Sequence, residues 1–345
     1  MGGEPDASVL AVIVGSLESN PILAMSLGSR ELFHSNLLAW FISRHPPVAR
    51  ALGLPGEVTV LREKNHTDLL IEHGHHRLML IENKVFALPD VSQLARLADR
   101  PGFYVGELVL LSLTSPGWPD GAWTSPGGKR WTWLSYVQLS GRLQPALPAV
   151  AAADQYAGAT LERWLEHFAR LEELVLVVGR PSPDEPVILP TAQRAVLRAA
   201  RLDGPVQKMR YEQVAAGLAS RGVNATVGMT RGTGLIDWFT DGPDGLRWGW
   251  QLQGDQFRLT IIVPEQHPGH GRDLKSRAAR EEEAARHPAF FDFGAVPAPD
   301  TATASAFGHF APDSVYRHVR VPGITVGEAV KFGYQHSMRI SQSVT

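Results

Sequence analysis

The stretch that decides the fold runs from Thr67 to Phe86 and reads TDLLIEHGHHRLMLIENKVF. Two aliphatic runs, Thr67–Glu72 and Arg77–Phe86, flank a glycine-containing HGHH, which is the pattern of a β-hairpin. Glu82 and Lys84 are two residues apart, so on a strand their side chains share one face. Leu78, Met79, Leu80 and Ile81 precede them, and Val85 and Phe86 follow. Charges at the end of such an apolar run are costly unless they are paired or hold a metal. A turn centred on His75 places Asp68 directly across from Glu82, because the two are equidistant from it. Cross-strand neighbours have Cβ atoms about 4.5–5.5 Å apart. Two carboxylates that close repel each other unless a cation sits between them. A small set of hard oxygen ligands, with room for water and phosphate, suits Mg²⁺ or Mn²⁺. The plainer reading makes Glu82 and Lys84 a structural ion pair on an edge strand and Asp68 a turn cap.

Upstream, residues 30–43 (RELFHSNLLAWFIS) have helical periodicity, with Leu32, Phe33, Leu37, Trp40 and Phe41 as the expected buried face. Glu31, His34 and Ser35 lie beside that face near the first turn. Glu31 also suits a first turn because the helix macrodipole favours acids there. A first helix is expected within residues 6–28, ending near Asn20-Pro21. Val58–Arg62 reads as a further strand. Downstream, Asp90 opens a helix, DVSQLARLADR, with Leu94, Leu97 and Ala98 on one side. Gln93 stands three residues after Asp90, the spacing of a capping box. Leu108–Leu113 is nearly all apolar and fits a strand buried on both faces. Residues 114–132 read as a Pro/Gly/Trp-rich loop, and 154–178 as a long amphipathic helix with Leu161, Trp164, Leu165, Phe168, Leu171 and Leu174 on one stripe.

These elements resemble the PD-(D/E)XK nuclease superfamily, in particular the branch that opens with a helix of the form E-x-x-H-S-x-x-L-A-W. That segment stands here as Glu31-Leu32-Phe33-His34-Ser35-Asn36-Leu37-Leu38-Ala39-Trp40. The acidic strand residue is Asp68, the I-E-N-K motif is Ile81-Glu82-Asn83-Lys84, and the Q-L of the following helix is Gln93-Leu94. Where members often have arginine before the aspartate, this chain has Thr67. A lone E-x-K carries almost no information; four elements in order and at spacing, over about residues 30–113, carry much more. The resemblance implies that Asp68, Glu82 and the Asn83 backbone carbonyl ligate Mg²⁺ or Mn²⁺, with Glu31 binding directly or through water. It implies that Lys84 positions or deprotonates the attacking water and that Gln93 orients Lys84 or the phosphate. His34 and Ser35 are expected to fix the helix against the sheet.

Bulk properties bound this reading. The chain has 345 residues and a formal net charge of −2, so no global basic field marks a nucleic-acid binder. A local basic groove and a divalent metal can serve instead. There are no cysteines, which excludes disulfides, cysteine-ligated zinc, iron–sulfur clusters and thiol chemistry. The apolar run Val9–Val14 is too short to span a membrane, so a cytoplasmic protein without a signal peptide is expected. Four prolines among the eleven residues Arg180–Pro190 mark a boundary.

The expected architecture is therefore an α/β domain over 1–185, with a mixed central sheet of four or five strands flanked by helices (a restriction-endonuclease-like core), and an α+β domain over 190–345. In the second domain, helical segments at 191–221 precede β-like runs at 224–229, 234–239, 246–253 and 256–263. The segment Arg277–Arg286 reads as a solvated helix. Target recognition, partner binding and homodimerisation are open for this domain. The histidines His73, His75, His76, His267 and His270 lack the helical spacing of a zinc site. Trp118, Trp123, Trp131 and Trp133, interleaved with Lys129 and Arg130, either stack bases or pack a loop. The resemblance implies metal-dependent phosphodiester hydrolysis, with DNA ahead of RNA as partner, and by family analogy alone a setting in bacterial restriction or defence. The rival is a nuclease-fold binding or scaffold module with little or no catalysis.

Overall fold

The computed structural model describes residues 7–64, 67–86, 91–102, 104–230, 232–242, 245–264, 274, 276–294, 306–310 and 313–344. Two compact units emerge: one running up to Val178 and including Ala195–Pro205, the other comprising Gly179–Arg194 and the chain from Val206 onward.

The first unit opens with helices α1 (Ala7–Ser19), α2 (Pro21–Ser26), α3 (Arg30–Arg44) and α4 (Pro46–Ala51). The Asn20 side chain accepts from the Ile22 N–H, and Pro21 begins α2, where its missing N–H removes no helical bond. There follow β1 (Thr59–Arg62), β2 (Leu69–His73), β3 (His76–Lys84), α5 (Val91–Ala98), β4 (Glu107–Ser112), β5 (Ala122–Thr124), β6 (Arg130–Ser135), α6 (Tyr136–Leu143), α7 (Leu147–Ala153) and α8 (Gln155–Leu174). The strands form one mixed sheet of six, more than the four or five expected, in the order β1-β2-β3-β4-β6-β5. β1, β2 and β3 pair antiparallel, β3–β4 and β4–β6 parallel, and β5–β6 antiparallel.

The sheet's two faces follow from the alternation along β3. Leu80 joins Leu70, Leu108, Leu110 and Trp131 beneath Leu94, Leu97 and Ala98 of α5. The other face carries Asn83, whose side chain reaches Ser35 of α3. The α8 stripe is buried throughout, including Trp164 and Phe168 at 0% exposure. Full burial of side chains of this size stabilises by roughly 1.5–3 kcal/mol each.

Two local expectations are corrected. α3 buries His34, Ser35, Leu38, Ala39, Phe41 and Ile42, whereas Leu32 and Trp40 are exposed. The helix is rotated from its most apolar face, and Asn83 of β3 donates both to Ser35 Oγ and to the Glu31 carbonyl on the face it buries. The segment 114–132 is not all loop: β5 and the start of β6 form a hairpin in which Trp131 pairs with Trp123.

The second unit has an antiparallel five-stranded sheet in the order β11-β10-β9-β8-β7. In chain order α9 (Thr191–Ala199), whose Ala195–Ala199 belong to the first unit, and α10 (Asp203–Ala219), which belongs to the second from Val206 onward, precede β7 (Thr226–Thr230), β8 (Thr233–Asp241), β9 (Arg247–Gln253) and β10 (Gln256–Ile262). Gly254, at φ +58°, makes the β9–β10 turn, a conformation costly for residues with a Cβ. α11 (Arg277–Ala285), β11 (Ser314–Arg320) and α12 (Val326–Val344) complete it. α11 carries surface pairs such as Arg277–Glu281, but Glu283 and Ala284 are buried. β11 and α12 are elements the sequence reading did not anticipate. The core joins Trp250, Phe257 and Leu259 of the sheet to Tyr211, Val214 and Leu218 of α10 and Val330 and Phe332 of α12.

Candidate active site

Register brings the acidic residues together. Leu69 pairs with Ile81, so Asp68, immediately before β2, stands next to Glu82 at the end of β3. A bulge between Ile71 and Glu72 shifts the pairing, and the turn closes with His73 opposite His76. The Asn83 backbone N–H donates to Asp68 Oδ2 at 2.7 Å.

Glu82 is 1% exposed. Its Oε1 accepts from Lys84 Nζ at 2.9 Å and from Gln93 Nε2 of α5 at 2.8 Å. Its Oε2 is buried with no hydrogen-bond partner among the described residues. Leaving a buried carboxylate oxygen without a donor costs free energy, and such a group calls for a catalytic or ion-binding explanation.

The electrostatics match this crowding. Burial, reinforced by the Asp68 and Glu31 charges and opposed by Lys84, pushes the Glu82 carboxyl up to about 7. Burial also raises Asp68; the Asn83 N–H and Lys84 oppose that shift, and Glu63 adds to it. Burial pulls the Lys84 ammonium down, but its contact with Glu82 and the fields of Glu31 and Asp68 outweigh burial, and its pKa ends raised. Lys84 is thus a held cation in a cluster of acids.

Asn83 points to the opposite face and ties three elements together. Its Nδ2 donates to the Glu31 carbonyl at 3.1 Å and to Ser35 Oγ at 2.9 Å, while Ser35 Oγ donates to that same carbonyl at 2.9 Å. Its Oδ1 accepts from the hydroxyl of Tyr136, the first residue of α6. Tyr136 was not legible as a site residue. The nearest signal is Ser135, whose capping box with Gln138 starts α6 directly after β6 and so fixes where Tyr136 stands. Behind α3, Trp164 Nε1 donates to His34 Nδ1 at 2.9 Å, and His34 stacks on His167 at 5.5 Å. Burial holds His34 well below the ordinary range and His167 at about 4, so both imidazoles are neutral at pH 7. Ser35 thus fixes the helix to the sheet, as expected, whereas His34 fixes it to α8 instead.

The structure therefore brings Asp68, Glu82, Asn83, Lys84 and Gln93 together, with Glu31 joining through its backbone carbonyl and its field. Asp90, the proposed capping partner of Gln93, lies outside the described residues, as do His267 and His270. Thr67 is buried, its hydroxyl donating to the Lys64 carbonyl at 2.7 Å. His75 and His76 are exposed at the far end of the hairpin. Trp118 and Trp123 stack on each other at 6.1 Å and pack with Trp133 against the α5 cluster, which favours the loop-packing reading.

Among the described residues no group of three His, Asp or Glu side chains forms a ready-made metal cage. The donors that stand side by side are the two carboxylates of Asp68 and Glu82. The unpartnered Glu82 Oε2, and a carboxyl driven up by its acidic neighbour, are features that a small hard cation relieves. The residues present fit Mg²⁺ or Mn²⁺ on those grounds.

Comparison with protein-family models, with curated proteins and with solved structures gave no match for this chain.

Proposed function

We propose that the chain is a divalent-metal-dependent nuclease of the PD-(D/E)XK type, hydrolysing phosphodiester bonds with DNA as substrate, and that its first unit is a restriction-endonuclease-like core. The single observation that carries this reading is the convergence of Asp68, Glu82 and Lys84 at one end of the hairpin, with Glu82 Oε2 buried and unpartnered. Asp68, Glu82 and the Asn83 carbonyl would hold the cation, which when bound supplies Lewis-acid polarisation of a phosphate oxygen and acidification of a water.

The chain's own residues do the rest. Asn83 fixes Asp68 through its backbone N–H and anchors to α3 and α6 through its side chain. Gln93 keeps Glu82 oriented. Lys84, whose pKa is raised, stays protonated at neutral pH, so its part is to offset the negative charge that develops on the phosphoryl group rather than to take a proton.

The rival reading, a binding module without catalysis, draws on the Lys84–Glu82 ion pair, which occupies one oxygen of the acid. Digestion of single- and double-stranded DNA and RNA in Mg²⁺, Mn²⁺ or EDTA separates the two. Metal-dependent cleavage lost in Lys84→Ala and Asp68→Ala supports the nuclease. Cleavage unchanged in both variants, or absent with every substrate, removes the catalytic assignment.

A further inference from the structure

Beneath the Asn83 face of the first sheet lies a cavity of about 510 Å³ that the proposed chemistry does not use. Its wall is mostly apolar and includes Met79 and Ile81 of β3, Val109 and Leu111 of β4, and Leu38 of α3. These strand residues share a face by register: Ile81 pairs with Val109, and Val109 with Thr132. Three charged residues, all exposed, also line the cavity: Arg130 at the start of β6, Arg142 on α6 and Glu107 at the start of β4. Among the described residues neither arginine has an acidic partner. The mouth is thus at the start of the parallel strands, whereas Glu82 and Lys84 are at the end of β3.

The size falls in the range of small-molecule sites, about 300–1,000 Å³, and an apolar body with a few charged groups is their usual make-up. Charge decides the ligand class. Two guanidinium groups against one carboxylate leave a net single positive charge at the mouth, which complements a monoanion. Arginine's fork suits a carboxylate in two-point contact. We infer that this cavity binds a small amphiphilic carboxylate, its hydrocarbon part against Met79, Ile81, Val109 and Leu111 and its head group between Arg130 and Arg142. The inference is independent of the nuclease reading.

Octanoate is the probe, with octanol and octyl phosphate as comparators, measured by titration calorimetry on the full chain. Saturable binding of octanoate near one per chain is expected, at least tenfold tighter than octanol and tighter than octyl phosphate. Arg142→Glu should weaken it at least tenfold. Thr132→Phe puts an aromatic ring into the cavity from an exposed strand position that tolerates it, and should abolish binding while circular dichroism and melting temperature stay near wild type. No octanoate binding to the wild type overturns the proposal. So does binding unchanged in Arg142→Glu, a variant that alters only an exposed side chain and leaves the core intact. Tighter binding of octyl phosphate overturns the carboxylate assignment.

Discussion

The Asn83 backbone N–H and Asp68 Oδ2 are joined at 2.7 Å, across the last step of the hairpin, while the Asn83 side chain is fixed on the other face by Ser35 and Tyr136. One residue thereby sets the position of an acid on one side and of a helix on the other. Glu82 and Lys84, its neighbours in the chain, take their orientation from the same pleat.

Breaking that anchor should lower stability and activity together. Tyr136→Phe removes one buried donor and leaves Asn83 Oδ1 unsatisfied, a loss of about 1–3 kcal/mol. Asn83→Ala removes the whole network and should cost more. Chemical denaturation measures both, and cleavage should fall less in Tyr136→Phe than in Asn83→Ala. Equal stability of all three proteins would show that the network does not hold the site.

Gln93→Ala takes one of two donors from Glu82 Oε1. Cleavage is expected to drop about tenfold, the scale of a lost outer-shell contact to a metal ligand, with an accompanying loss of Mn²⁺ affinity. Retained affinity with reduced rate would place Gln93 on the substrate instead.

Lys84→Ala should reduce cleavage by about 10²–10³-fold, the usual cost of removing one preorganised charge-stabilising group. Lys84→Arg should not restore it, because the planar fork does not reproduce a point charge 2.9 Å from Glu82. Single-turnover assays at saturating metal check this.

pH dependence follows from Glu82. Its carboxyl titrates at about 7 in the fold but near about 4.3 in an unfolded chain. The folded state therefore binds the extra proton. The stability this confers is complete below the unfolded value and drains away as pH rises through about 7. Without metal, the wild type should lose stability relative to Glu82→Gln between pH 5 and 8; parallel curves would contradict the assignment. The buried histidines His34 and His167 shift the other way, favouring the fold above their unfolded pKa, but they are common to both proteins and cancel. Cation binding needs the ionised acid, so Mn²⁺ affinity should rise across the same pH window.

Much of the first unit was legible because its signals are local. The hairpin could be placed by counting outward from His75, and the α8 stripe by its helical spacing. The face of α3 was not, because Leu32 and Trp40 outweigh Ser35 on any hydrophobic count, while the hydrogen bond that Ser35 accepts comes from a strand 48 residues away. Tyr136 reaches Asn83 across 53 residues, a relation no local pattern encodes. The hairpin of β5 and β6 hid in a Pro/Gly-rich segment whose composition reads as loop. Asp68, Glu82 and Lys84 could be placed together because register and alternation translate spacing in the chain into proximity on a sheet, and the motif resemblance pointed to the same three residues.

The most direct test is a crystal structure of the chain soaked in Mn²⁺, with data collected at the manganese edge. An anomalous peak within coordination distance of both Asp68 and Glu82, on the side of Glu82 Oε2, is the expected result. Absence of a peak there, with the Lys84–Glu82 contact unchanged, would contradict the account.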